Sequence, residues 1–171
     1  MPTGWDNFYI MAGSASATLI GLLFVIVTMG TGSRLSGSSA LDGISTFLTP
    51  TFAHFGGVLF QSLAVLPPWP SVWPVGIILG LTGLVGLAYS GKVMIRQRKV
   101  AFVTLQWLDW SLYRGLPAVA NAGLIVGAVG LIAGKPCAPY AVAGAAALLM
   151  FVGVYGAWDL TLWLLKNRET K

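Results

Sequence analysis

The chain has 171 residues, of which 56% are hydrophobic and only 9% are charged, and its mean hydropathy is +0.80. A soluble domain carries roughly 25% charged residues, so this composition excludes an ordinary soluble fold with a water-facing shell. The formal net charge of +5 would suit nucleic acid, but the basic residues stand at the ends of apolar runs, where membrane proteins place them. We therefore expect one integral membrane domain over residues 1–171 that binds no nucleic acid.

The amino-terminal residues and the cysteine count narrow the class further. Residues 1–9 contain Asp6 but no Lys or Arg, so the first apolar run is predicted to be a spanning helix and not a cleaved signal peptide. Cys137 is the single cysteine, so an internal disulfide and a cysteine-rich metal site are both ruled out. We expect neither a metal nor a cofactor.

Five apolar segments follow one another along the chain, each with the ~20 residues that span ~30 Å of hydrocarbon. Backbone groups in lipid need partners within their own segment, so each segment is predicted to be an α-helix. Strand alternation is absent from the sequence, which excludes an outer-membrane barrel. The segments are about residues 5–30, 44–66, 73–92, 107–133 and 140–165. Arg98 is an alternative end for the third segment.

Charge predicts how these helices are oriented. If five helices alternate, one side of the membrane receives Arg34, Lys92, Arg96, Arg98, Lys99, Lys166, Arg168 and Lys171. The other side receives only Lys135, so the positive-inside rule places the amino terminus outside and the carboxyl terminus in the cytoplasm. Aromatic residues agree with this frame. We expect the outer interface at Trp5, Tyr9, Trp69, Trp73 and Tyr140, and the inner one at Trp107, Trp110, Tyr113, Trp158 and Trp163.

Small residues recur at spacings of three and four in four of the segments, which predicts close helix packing in lipid. They are Gly13, Ala17 and Gly21; Gly76, Gly80, Gly83 and Gly86; Ala120, Gly123, Gly127, Gly130 and Gly134; and Ala141, Gly144, Ala145, Gly153 and Gly156. The pattern fits contacts within one chain and contacts between the subunits of a homo-oligomer, and both remain open.

His54, the single histidine, lies near the middle of the second segment and therefore near the expected midplane of the membrane. A titratable ring at that depth needs a partner or water. Thr51, Val58 and Gln61 share its helix face at spacings of three and four. Pro50, one turn earlier, frees a backbone carbonyl that can accept a bond from water or a side chain.

Other segments bring small polar side chains to a similar depth, namely Ser14, Ser16 and Thr18 in the first, Thr82 in the third and Asn121 in the fourth. Two interpretations of this polar level remain open. It is a path for a small ion or proton with His54 titrating near neutral pH, or a hydrogen-bonded histidine merely holds the bundle together. An axial haem ligand is disfavoured, because the chain offers no second histidine and no attachment motif.

Charged residues form a second group towards the expected cytoplasmic side. Asp109, Arg114 and Asp159 fall at about the same depth, and an ion pair between Arg114 and Asp159 would clamp two helices. A gate or an ion-binding site is the alternative. The neighbouring run of Lys92, Arg96, Arg98 and Lys99 is expected to end a helix at the cytoplasmic face and to contact anionic lipid headgroups.

Motifs for catalysis are missing from the sequence. His54 has no carboxylate at its depth to complete a Ser/His/Asp set, and neither a phosphate-cradling loop nor HExxH occurs. We therefore expect that the protein is not an enzyme.

Two stretches carry a resemblance. The first segment reads FYIMAGSASATLIGLLFVIVTMG, and residues 49–55 follow the pattern Thr-Pro-Thr-x-x-His-Phe. Over roughly its first half the chain resembles a set of small multi-pass bacterial inner-membrane proteins that have no assigned function. The resemblance implies a location in the bacterial cytoplasmic membrane, and it transfers no functional residue.

Two functional hypotheses follow from these observations. In the first, the chain assembles into a small homo-oligomer that forms a channel or transport-like path for a small ion or proton, with His54 near the constriction. In the second, it is a non-transporting accessory or scaffold subunit of a larger membrane complex, as its small size and short loops allow. The expected partners are membrane lipids and either copies of the same chain or other membrane proteins.

Overall fold

The computed structural model describes residues 4–31, 38–98 and 115–169, and their side chains over 4–29, 48–92 and 115–162. Within these ranges the chain is all α-helical and contains no strand, which confirms the predicted fold class at that level. The helices are α1 Asp6–Thr31, α2 Ser38–Val65, α3 Val72–Arg98, α4 Leu116–Ile132 and α5 Ala138–Glu169. The third segment continues as a helix to Arg98, its alternative end. The predicted start of the fourth segment at residue 107 lies outside the described residues.

Three helices are long and apolar enough to cross a membrane, namely α1 over Asp6–Met29, α3 over Val72–Lys92 and α5 over Ala138–Leu162. α4 is apolar but has 17 residues. These features are those of a membrane protein. Five crossings, with the amino terminus outside and the carboxyl terminus in the cytoplasm, stay predictions.

α1 and α2 run antiparallel and in contact. Gly13 lies against Ser62, whereas further along α1 the ring of Phe24 meets that of Phe52, with centroids 6.1 Å apart. The rings of Trp5 and Tyr140 also meet edge to face, with centroids 4.9 Å apart. α1 and α5 therefore begin at the same end of the bundle, which we call the aromatic end.

Glycines allow the remaining helices to approach closely. A Cβ on Gly83 would stand 2.7 Å from Cγ1 of Ile125, so α3 packs on α4 at van der Waals distance. A Cβ on Gly127 would lie 2.7 Å from Cγ2 of Val142 and 3.0 Å from its backbone nitrogen, so α4 packs equally closely on α5. The most extensive contacts are thus those of α3 with α4, α4 with α5, α5 with α2 and α2 with α1, and smaller contacts join α2 to α3 and α1 to α5.

The turns at the aromatic end have specific hydrogen bonds. α4 ends in a Schellman motif, in which Lys135 N–H donates to the Gly130 carbonyl and Gly134 N–H to the Leu131 carbonyl. Gly134 takes the left-handed backbone conformation that the motif requires, with φ +67°. After α2, the indole Nε1–H of Trp69 donates to the Ala64 carbonyl at 2.9 Å, which satisfies one of the carbonyls left free at the helix end.

Candidate functional site

The interior face of α2 carries polar side chains along most of its described length. Thr51, Gln61 and Ser62 are buried together with Val58, and His54 is partly buried. Spacings of three and four place these positions on one side of the helix. The helix continues through Pro50, so the predicted free carbonyl lies within a continuous helical stretch.

α1 adds two buried polar side chains beside this face. Tyr9 and Ser16 stand one turn before and one turn after Gly13, and both are completely buried. A Cβ on Gly13 would lie 2.9 Å from Cβ of Ser62 and 3.2 Å from its Oγ. Because Gly13 has no side chain, α1 and α2 approach each other closely where these polar groups are concentrated.

Several of these polar atoms are buried without a hydrogen-bond partner in the part of the chain that the structure describes. They are Tyr9 Oη, Ser16 Oγ, His54 Nδ1, Ser62 Oγ and both Oε1 and Nε2 of Gln61. We call the five side chains the interior polar set. A buried polar group without a partner costs roughly 1–3 kcal/mol, and native proteins contain few such groups, most of which have a specific explanation.

The other residues predicted at the midplane are placed differently. Thr18 is exposed and donates to the Ser14 carbonyl at 2.9 Å, and Thr82 is partly buried and donates to the Ile78 carbonyl at 2.7 Å. Asn121 is buried, donates from Nδ2 to the Pro117 carbonyl at 2.7 Å and lies against α3. The structure therefore brings Ser16 beside the α2 residues, whereas Thr18, Thr82 and Asn121 bond to the backbone of their own helices.

Two members of the interior polar set were not candidates from the sequence. Tyr9 is predicted at the outer interface, a depth that stays a prediction, and its side chain is buried inside the bundle. Ser62 has no role predicted from the sequence. Tyr9, Gly13 and Ser16 follow the i, i+4, i+7 spacing of one helix face. That spacing was the available signal, but it gains meaning only once Gly13 is known to meet Ser62.

The charged group predicted near the cytoplasmic side lies mostly outside the described residues. Asp109, Arg114 and Lys99 are not described, and neither are the side chains of Arg96 and Arg98. Asp159 on α5 is partly buried and Lys92 on α3 is exposed. The predicted pair of Arg114 and Asp159 and the predicted headgroup contacts stay predictions.

The described residues contain no group of three or more His, Cys, Asp or Glu side chains that could hold a metal ion. Cys137 is exposed as a free thiol in the turn between α4 and α5. Comparison of the chain with protein-family models, with curated proteins and with solved structures gives no match.

Proposed function

We propose that this chain is a multi-pass bacterial inner-membrane protein whose bundle provides a path for a small polar species, which the sequence-based hypothesis takes to be a small ion or proton. The observation that carries the proposal is the interior polar set, whose buried atoms have no partner among the described protein groups. Polar side chains at membrane depth are expensive and are typically kept where they contact a transported species or water.

The extent of the polar residues supports a path rather than an isolated hydrogen bond. Thr51 and Ser62 are eleven positions apart on one face of α2, which corresponds to about 16 Å at 1.5 Å per residue. Tyr9 clusters with Val65, the last residue of α2, which extends the polar range to about 21 Å. That is roughly two thirds of a ~30 Å hydrocarbon core.

His54 has a distinctive position within this range. Its Nδ1 is buried without a partner among the described residues, while the residue as a whole is partly exposed. Gly57, one turn later, is also partly exposed, and a Cβ there would meet nothing within 4 Å. Open space one turn from His54 supports contact of this part of α2 with a passing species, so His54 remains our candidate for the narrow part of the path.

The test is transport by the purified protein in liposomes. Proton, Na⁺, K⁺ and uncharged-solute fluxes are compared with those of empty liposomes, for the wild type, His54→Ala and the control Ser90→Ala. Ser90 donates to the Gly86 carbonyl of its own helix and lies outside the interior polar set. We expect flux in the wild type and in Ser90→Ala, with a reduced flux or an altered pH dependence in His54→Ala.

Each of the other outcomes is informative. Unchanged flux and unchanged pH dependence in His54→Ala would remove the imidazole from the path. Wild-type liposomes that carry none of the tested species would refute the proposal. In that case a foreign protein that co-purifies reproducibly in mild detergent would favour the accessory-subunit hypothesis.

A further inference from the structure

Gln61 has more unpaired polar atoms than any other member of the interior polar set. Its side chain is completely buried, and both its carbonyl oxygen and its amide nitrogen are without a partner in the described ranges. A carboxamide presents an acceptor at one atom and two donors at the other. A cation would satisfy only the oxygen and an anion only the nitrogen, so a single species that satisfies both must itself accept and donate hydrogen bonds.

The polar groups nearest in depth have the same two-sided character. Ser62 adjoins Gln61 on α2, and Tyr9 and Ser16 flank the residue of α1 that meets Ser62. Each contributes a hydroxyl group, which can donate and accept. We call these four residues the amide site. His54 lies seven positions from Gln61 on α2, or about 10 Å along the helix, and is not part of it.

None of the described charged side chains is fully buried, and Asp6, one turn before Tyr9 on α1, is exposed. Lys92 and Lys135 are also exposed, and Asp159 is partly buried on the last third of α5. Asp159 is two turns beyond Gly153, which packs on Phe55, so it belongs to the half of the bundle opposite the aromatic end. A dehydrated ion at the amide site would therefore have no fully buried counter-charge among the described side chains, and burying an isolated charge is far more costly than burying a neutral polar molecule.

We propose that the amide site binds a small uncharged molecule that both donates and accepts hydrogen bonds, such as water, urea or glycerol. This inference rests on the proposed path and replaces the small ion or proton of the sequence-based hypothesis by an uncharged molecule. Gln61 bonds the molecule through both ends of its amide, and the hydroxyls of Ser62, Ser16 and Tyr9 satisfy its remaining donors and acceptors. The path then selects against ions because a dehydrated ion would be buried at a site made of neutral groups.

The experiment is stopped-flow light scattering on proteoliposomes, with separate gradients of an impermeant osmolyte, urea and glycerol to report water and each solute. Proton, Na⁺ and K⁺ fluxes are measured on the same preparations. The variants are Gln61→Met, which keeps the unbranched shape but removes both polar atoms, and Ser62→Ala. Ser90→Ala is the matched control, because its hydroxyl bonds to its own helix. Circular dichroism and elution as a single species establish that each variant is folded.

We expect wild-type liposomes to carry at least one of the three uncharged molecules faster than empty liposomes. Gln61→Met should lower that permeability about tenfold or more, as the loss of one or two hydrogen bonds to the passing molecule predicts, while Ser90→Ala leaves it unchanged. Ser62→Ala should reduce it to a smaller extent and gives an independent result if Gln61→Met does not fold.

Three results would overturn the inference, and each has a different consequence for the proposed path. Proton or cation flux without any uncharged-solute flux would show that the path carries ions, so the proposed path would survive and its uncharged cargo would not. Uncharged-solute flux that Gln61→Met and Ser62→Ala leave intact would place the route elsewhere in the protein. Absence of every flux would refute the path itself.

Discussion

Replacing Gln61 by Met should make the protein more stable while it impairs function. The side chain is fully buried and neither polar atom of its amide has a partner in the structure as described. Most buried substitutions destabilise a protein. At this position the native residue is the costly one, because its amide is removed from water without a compensating bond.

The expected gain follows from the two unpaired atoms. Each costs roughly 1–3 kcal/mol, so together they cost about 2–6 kcal/mol if nothing else satisfies them. Met has the same unbranched length, so the substitution opens no cavity. A water or small solute that occupies the amide site part of the time recovers some of the cost. We therefore expect Gln61→Met to raise the free energy of unfolding by about 1–3 kcal/mol.

The assay is reversible unfolding by SDS in mixed micelles, followed by the helical circular dichroism signal. Two serines provide the matched comparison, since Ser62 Oγ is buried without a partner and Ser90 Oγ donates to the Gly86 carbonyl at 2.9 Å. Ser62→Ala should be stabilising or neutral, and Ser90→Ala should change stability by at most about 0.5 kcal/mol. A loss of more than about 1 kcal/mol in Gln61→Met would contradict the reasoning, because it would mean that the amide has a protein partner and holds the helices together.

The same unfolding assay tests three further features of the fold. Gly127→Ala should destabilise the protein by about 1–3 kcal/mol, because its Cβ would meet the backbone of α5. Gly144 has nothing within 4 Å of a Cβ, so Gly144→Ala should be neutral or stabilising by up to about 1 kcal/mol. Equal effects of the two substitutions would contradict the close packing of α4 on α5. Gly134→Ala should cost about 1–2 kcal/mol, since φ +67° strains any residue with a Cβ. Trp69→Phe should cost about 0.5–1.5 kcal/mol through the lost bond to the Ala64 carbonyl, and an unchanged stability would mean that water replaces it.

Helix positions were largely predictable from the sequence because the length of each apolar run determines where a helix can begin and end. Residues 5–30 and 140–165 correspond closely to Asp6–Thr31 and to the core of Ala138–Glu169. The glycine spacings of α3 and α4 likewise indicated close contacts, which occur at Gly83 and Gly127 within one chain. Gly21 and Gly144 are exposed with nothing within 4 Å, so the sequence pattern alone could not separate packed glycines from unpacked ones.

The candidate site was less predictable because depth along a helix does not determine direction around it. Ser16 and Thr18 are two positions apart and lie at nearly the same depth, yet Ser16 is buried and Thr18 is exposed. An angle of about 200° separates them on a helix with 3.6 residues per turn. The contact of Gly13 with Ser62, together with the burial of Tyr9 and Ser16, establishes which side of α1 faces the interior. Thr82 and Asn121 illustrate the same point, since their polar atoms bond to their own helix backbones.

The composition of α2 connects its packing to the proposed path. α2 is not one of the three described helices that meet the length and hydropathy of an independent membrane span, and its interior face carries Thr51, His54 and Gln61. The polar groups on this face gain nothing from lipid, so contacts with neighbouring helices must stabilise it. Gly13 of α1 and Gly153 of α5 supply that support by letting their helices approach α2 closely from two sides. The apolar helices can therefore satisfy the requirements of the membrane, while the interior face of α2 keeps the hydrogen-bonding groups on which transport would depend.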